Sequence, residues 1–400
     1  MIPGGEALYS PAFQVSLLLA VALGGYLLAS RMNQSAVVGE ILAGLVVGPS
    51  VLGLITYTDF VAALAELGAI IMLFVIGFEF NIRDLTNSTY GVIGFFGVLV
   101  PWVGGYIVAV EFGYSFSTAV VIGVALTATS IAITANVLRE MGVLHTEVAK
   151  AIIGAAVIDD ILSLIALSLS IELISGSLSF DTAVFLLIKQ IGFIAIASLV
   201  GHYIISRWLH SFDKSPFARK YPEFIFIFAI MMAFLYASFA EFIGMSGIIG
   251  AFIAGVSFSQ CISFKHSHSI KGGANYLYII FASMFFVSLG VLVDLHHLTP
   301  HILIFALVLI AIAIITKLIG CGLSAKLMGM NTKDSLILGF GMVPRGEVAM
   351  IVGLMGLNMA LIGQDIYIAI LLMSLLTTIF TPIIYRGWLY KDLKKEGEPT

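Results

Sequence analysis

The chain has 400 residues, of which 60% are hydrophobic and only 10% charged, with a formal net charge of −4 and a mean hydropathy of +1.10. Soluble globular chains carry about 25% charged residues, so this composition describes a polytopic membrane protein. It offers no basic patch suited to nucleic acid and no low-complexity tract.

In chain order, apolar windows predict about thirteen transmembrane spans: 11–30, 36–55, 60–79, 90–111, 117–138, 149–171, 180–206, 221–241, 246–263, 273–293, 301–325, 334–357 and 364–388. Most match the roughly 20 residues a helix needs to cross a bilayer. The segment Met1 to Phe13 lacks the basic region of a cleaved signal, so the first span reads as a retained helix. Lysine and arginine test the count independently. Loops on one side carry Arg31, Arg83, Arg139, Lys150, Arg207, Lys214, Arg219, Lys220, Lys265, Lys271, Lys326, Lys333 and the tail from Arg386 to Lys395. Loops on the other side carry none. The expectation is a multi-pass protein of the cell membrane with its N-terminus outside and its C-terminus cytoplasmic. Cys261 and Cys321 fall toward the cytoplasmic ends of their helices, so no disulfide is expected. The tail after Trp388 is short and charged, and no soluble regulatory domain is expected in the chain.

Gly39-Glu40-Ile41-Leu42-Ala43-Gly44 in the second span resembles Gly250-Ala251-Phe252-Ile253-Ala254-Gly255 in the ninth, an offset of 211 residues. That offset maps spans 1–6 onto spans 8–13 and leaves the seventh as a connector. The two matching spans run in opposite senses, so the repeat is inverted, as is common in secondary transporters. It also lays Thr127–Thr134 (TATSIAIT) on Leu338–Arg345 (LGFGMVPR). Hydroxyls in the first stretch can satisfy freed backbone groups, and Pro344 in the second removes a helical hydrogen bond. Two broken helices crossing at mid-membrane follow, with half-helix ends supplying partial charges there.

Asp159 and Asp160 sit side by side near the middle of the sixth span, which is otherwise uncharged from Ala151 to Ile171. A carboxylate at that depth costs about 2.5–3.5 kcal/mol on insertion scales, and such acids commonly mark ion or proton pathways. The eleventh span holds a single charge, Lys317, at similar depth, and an ammonium there needs a carboxylate partner. Neighbouring helical residues point about 100° apart, so one aspartate can face Lys317 while the other faces a water-filled cavity. A buried carboxylate can hold a proton or a hard monovalent cation, but not both. Oxygens from the Thr/Ser-lined break, with Thr127, Thr129 and Ser130 as candidates, would complete the cation shell. Competition for one acid plus alternating access gives exchange of cation against proton.

Arg345 and Glu347, near the second break, read as structural charges that neutralise half-helix ends. Glu66 and Lys189 read as structural, and Glu79, Asn81 and Arg83 as solvated groups at a helix end. His266, His268, His296, His297 and His301 read as solvated loop histidines.

In this order, the stretch Gly39–Gly53 (GEILAGLVVGPSVLG), Ala65–Phe80 (AELGAIIMLFVIGFEF), the Thr127–Thr134 break, Asp159-Asp160, Lys317 and Pro344-Arg345-Gly346-Glu347 resemble the monovalent cation:proton antiporter-2 family, near its NapA-like sodium/proton exchangers. The resemblance spans essentially the whole chain. It implies the all-α sodium/proton antiporter fold, with about 13 transmembrane helices in one transporter unit over residues 1–400. It implies an elevator-type homodimer. Residues 11–85 and 221–295 would form the dimerisation part, 90–171 and 301–388 the ion-carrying core, and 180–210 the connector helix. It implies Asp160 as the shared ion and proton carrier, and so the Na+ ligand, with Asp159 paired to Lys317 in one state of the cycle. Asp at 159 beside Lys317 favours electrogenic exchange of Na+ (or Li+) for H+. No cofactor is implied beyond the transported cation, and the partners are a monovalent cation, protons, the lipid bilayer and a second copy.

Three other functions compete with this one. Potassium/proton exchange uses the same scaffold, and the sequence displays no size filter. A sodium:solute symporter shares the inverted-repeat design. An intramembrane aspartyl protease needs its acids facing each other from different helices, whereas these are consecutive on one. The protein is expected to be a transporter and not an enzyme.

Overall fold

The computed structural model describes residues 10–80, 87–175, 180–205, 207, 223–261 and 264–390. Every regular element among them is helical. The first three are α1 (Pro11–Arg31), α2 (Ala36–Val47) and α3 (Asp59–Gly77). Next come α4 (Ser88–Glu111), the pair α5 (Phe116–Ala125) and α6 (Ile131–Glu140), and α7 (Glu147–Ser175). α8 (Phe180–Leu199) ends in a π-helical segment, Val200–Ile205. The second half repeats the pattern with α9 (Glu223–Phe242), α10 (Gly247–Cys261), α11 (Phe264–Val291) and α12 (Pro300–Lys317). It closes with the pair α13 (Thr332–Gly341) and α14 (Glu347–Asn358), then α15 (Gln364–Ile384). Counting α5–α6 and α13–α14 as one crossing each, thirteen spans result, in agreement with the sequence. Nine helices among the described residues are long and apolar enough to cross a membrane singly.

The second span is shorter than its apolar run. α2 stops at Val47, and residues 48–55 form a turn instead of continuing to 55. Pro49 and Gly53, the latter at φ +60°, explain the stop. Ser50 then ties the turn down: its Oγ donates to Val293 O at 2.6 Å and accepts from Leu295 N at 3.2 Å.

Two groups of helices emerge from the contacts. α1, α2 and α3 pack with α9, α10 and α11, whereas α4, α5 and α7 pack with α12, α14 and α15. α8 touches α7 on one side and α10 on the other. In membranes, helices associate by close van der Waals approach at small residues. The GEILAG string shows why glycine is needed: a Cβ on Gly39 would lie 2.1 Å from Gly25 O of α1, and one on Gly44 2.1 Å from Val287 O of α11.

The inverted repeat holds, but its register drifts. α2 and α10 start 211 residues apart, as the matching strings require, while α6 and α14 start 216 apart. Thr127–Ser130 therefore corresponds to Val343–Gly346, whereas the offset of 211 laid it on Leu338–Gly341. Most of the drift arises within the crossing before the broken pair: Pro300–Leu327 runs 28 residues against 24 for Ser88–Glu111, and it contains the π segment Leu318–Leu323.

Candidate ion site at the crossing of two broken helices

Both predicted interruptions are present, and they touch. α5 ends at Ala125 and α6 begins at Ile131, with residues 128–130 non-helical between them. α13 ends at Gly341, and residues 343–346 are non-helical before α14. Pro344 lacks an N–H and biases the residue before it away from helix, which sets the second break. Freed backbone groups in each strand are satisfied by the other strand. Ser130 N donates to Pro344 O at 2.9 Å. Thr129 Oγ1 donates to Met342 O at 3.1 Å, and Thr134 Oγ1 to Gly341 O at 2.6 Å. α15 supplies the rest: Thr378 Oγ1 donates to Arg345 O at 2.9 Å, Thr381 Oγ1 to Phe340 O at 3.0 Å, and Arg345 N to Thr377 Oγ1 at 3.3 Å.

The charged cluster sits against this crossing. Asp159, Lys317 and Arg345 are 0% exposed and Asp160 is 4% exposed. Lys317 Nζ donates to Asp159 Oδ1 at 2.6 Å, and the backbone N–H of Thr129 donates to Asp159 Oδ2 at 3.0 Å. α12 passes into a π-turn, Leu318–Leu323, immediately after Lys317. Such π segments recur at functional sites, where they re-aim a side chain. Arg345 Nη1 donates to Met342 O at 3.1 Å and Val343 O at 3.2 Å, while its Nε and Nη2 have no partner among the described residues. Arg345 thus adds a second buried positive charge to the cluster.

The two aspartates face different ways. Leu164 and Leu167, four and seven residues beyond Asp160 and hence on its helical face, line a cavity of about 500 Å³. That cavity lies between α3, α10 and α11 on one side and α7, α14 and α15 on the other. It reaches the surface at the α9–α10 turn, where Glu66 and Glu241 are its charged lining residues. The face of Asp159 looks instead toward α4, where Gly97 makes room: a Cβ there would lie 3.0 Å from Asp159 Oδ1 and 2.7 Å from Cys321 Sγ.

Of the hydroxyls singled out from the sequence, Thr127 Oγ1 donates to Val124 O at 2.7 Å and so caps its own helix. Ser130 heads α6, and its buried Oγ has no partner among the described residues. Thr127 and Thr129 keep oxygen lone pairs after donating; Ser130 keeps its whole hydroxyl. The side chain of Glu347 lies outside the described residues, as do Asn81, Arg83 and the side chains of His266, His268 and His297. Glu66, read as structural, lines the cavity. Gly97, Thr377 and Thr378 were missed by sequence reasoning. The threonine doublet ahead of Pro382 in an apolar span was a legible signal; nothing marked Gly97 among 40 glycines.

An inverted helical repeat with two interrupted helices crossing beside a buried Asp-Asp-Lys cluster defines a secondary transporter. Residues 18–390 match the family described as "Sodium/hydrogen exchanger, transmembrane", and the chain belongs to that family. It is 37% identical to the Na(+)/H(+)-K(+) antiporter GerN of Bacillus cereus over 92% of this chain and 94% of that one. It is 31% identical to a Na(+)/H(+) antiporter of Enterococcus hirae over 92% of this chain and 95% of that one. Among solved structures it resembles the sodium proton antiporter MjNhaP1 from Methanocaldococcus jannaschii, with a TM-score of 0.69 and 19% identity, covering 97% of this chain and 99% of that chain. The last likeness supports the fold alone.

Proposed function

We propose that the protein exchanges Na+ (or Li+) for H+ across the cell membrane, with Asp160 as the group that binds either ion. The observation that carries this is the different setting of the two acids on α7. Asp159 is committed to Lys317 and the Thr129 N–H, whereas Asp160 shares its helical face with the cavity wall. A carboxylate already held by a buried ammonium and a backbone N–H has little capacity left for a further cation, and Asp160 is the other acid at this depth. Thr127, Thr129 and Ser130 complete the oxygen shell from the break. Acids at the cavity mouth, Glu66 and Glu241, suit a cation path.

Residues 90–171 and 301–388 act as the ion-carrying core, and residues 11–85 and 221–295 as the dimerisation part of a homodimer, with 180–210 connecting them. The core moves against the other part in an elevator-type cycle. Lys317 pairs with Asp159 when the cation is absent and releases a proton when it binds, which makes exchange electrogenic. The N-terminus lies outside, so the cavity faces outward. Potassium stays a second candidate ion because the 37% identical relative is named for Na+, H+ and K+.

Proteoliposomes carrying a pH gradient test this. Addition of Na+ or Li+ should collapse the gradient, K+ addition sets the ion preference, and a membrane-potential clamp reports electrogenicity. Asp160→Asn should abolish the response without loss of folded protein. Full exchange by that variant ends the proposal.

A further inference from the structure

The cavity occupies one end of the interface between the two helix groups, and the other end is held shut by residues outside the ion site. Thr118 Oγ1 at the start of α5 donates to Leu361 O just past α14, at 2.8 Å. The start of α5 and the far end of α14, which lines the cavity, therefore share one end of the molecule. α6 continues from α5 through the crossing and finishes at the opposite end, in Arg139 and Glu140.

Those two residues join α6 to α2, α3 and α11. Glu140 accepts from Ser35 Oγ and from the Ala36 N–H at 3.0 Å, and so caps α2. Arg139 Nη2 donates to Asn275 Oδ1 at 2.8 Å on α11, and its guanidinium lies 4.1 Å over the ring of Tyr278. Arg139 Nε also sits 3.8 Å from Glu79 Oε1 beyond α3. Arg386, following α15, on which α6 packs, bonds Glu140 and orients it.

We propose that Arg139 and Glu140 form a latch that holds this end closed while the cavity is open, and that each transport cycle must release it. The inference rests on the alternating-access reading above. α6 carries the ion-site backbone at its start and the latch at its end. Any motion that shuts the cavity by moving α6 against α2, α3 and α11 pulls the latch apart. Its strength suits repeated release, because partly exposed ion pairs are individually weak and several of them hold a state without trapping it. Backbone capping by a carboxylate adds directionality, since Glu140 can reach Ala36 N only in this arrangement.

The test uses the full chain in proteoliposomes. Ser35→Cys and Glu140→Cys are combined and bridged with a short bis-methanethiosulfonate linker. Exchange should stop in the doubly substituted protein only and return when reductant cleaves the bridge. Exchange that persists in bridged protein, or loss that is equal in each singly substituted protein, overturns the latch. Wild-type protein that exchanges no cation for protons would instead sink the functional reading, so the two failures are distinct. A second variant avoids the bridge. With Val38→Cys on α2 as reporter (Val38 is 5% exposed), Glu140→Gln should raise the rate of modification by a soluble maleimide about fivefold, as about 1 kcal/mol would. An unchanged rate also overturns it.

Discussion

Lys317 Nζ lies 2.6 Å from Asp159 Oδ1, and both side chains are wholly buried. The pair spans α7 and α12, one from each half of the inverted repeat, and so fastens the two halves at mid-membrane. A buried ion pair of this kind is costly to break from one side, because the remaining charge is left without a partner. Lys317→Gln alone should therefore lower stability by about 3–5 kcal/mol, measured as a drop in thermal midpoint in detergent. The double variant Asp159→Asn/Lys317→Gln should recover most of that loss. A double variant as unstable as the single one would show that the pair does more than satisfy itself.

Ser130 offers a cleaner probe of coordination. Its buried hydroxyl has no partner among the described residues, so removing it forfeits no hydrogen bond to any of them. Ser130→Ala should keep the wild-type thermal midpoint yet raise the Na+ concentration for half-maximal exchange. A variant with unaltered Na+ dependence would remove Ser130 from the cation shell.

Gly97 is a steric prediction. Alanine there would place a Cβ 2.7 Å from Cys321 Sγ and 3.0 Å from Asp159 Oδ1, so α4 must shift or the ion pair must bend. Overpacking of this sort costs about 1–3 kcal/mol. Gly97→Ala should lose stability and exchange together, and Cys321→Ala should restore part of the stability by vacating the closer contact. Thermal unfolding of the single and double variants decides it.

The Thr378 hydroxyl is a structural prediction. It donates to Arg345 O at 2.9 Å, satisfying a carbonyl freed by the second break. Thr378→Val keeps the shape and leaves that carbonyl without its donor, at a cost of about 1–3 kcal/mol. Unfolding midpoints should fall accordingly, with Na+ half-saturation changed less than in Ser130→Ala.

The proposed competition for one carboxylate predicts a specific pH dependence. Only the deprotonated acid binds the cation, so its affinity falls as protons fill it. On the acid side of the site's own titration, half-saturating Na+ should rise about tenfold per unit fall in pH, with the maximal rate at saturating Na+ little changed. Initial rates across a Na+ series at several pH values measure this. A half-saturation constant independent of pH would separate the two ions onto different sites.

Much of the architecture was legible because the bilayer imposes strong rules. Span lengths, the one-sided lysines and arginines and the GEILAG repeat together led to thirteen crossings with a connector. Two places departed. The 36–55 run was apolar enough for a full span, yet Pro49 and Gly53 end the helix at Val47, where turn chemistry outweighs hydrophobicity. The repeat offset read from one string missed the drift to 216 residues at the breaks, because the eleventh crossing, which contains a π segment, is longer than the fourth.

The candidate site divides along the same line. Sequence by itself determined that two acids and one lysine lie at mid-membrane among interrupted helices, since the cost of placing charge in hydrocarbon makes each of them conspicuous. That Asp159 is the acid holding Lys317 and the Thr129 N–H is seen only in the tertiary structure. Asp159 and Asp160 have the same chemistry and neighbouring depth, and only the packing of α4 and α12 against one face of α7, with a cavity along the other, tells them apart. The same holds for Gly97, Thr378 and the Arg139–Glu140 contacts. Their importance comes from partners tens to hundreds of residues away, and proximity of that kind is a property of the folded chain, not of local composition.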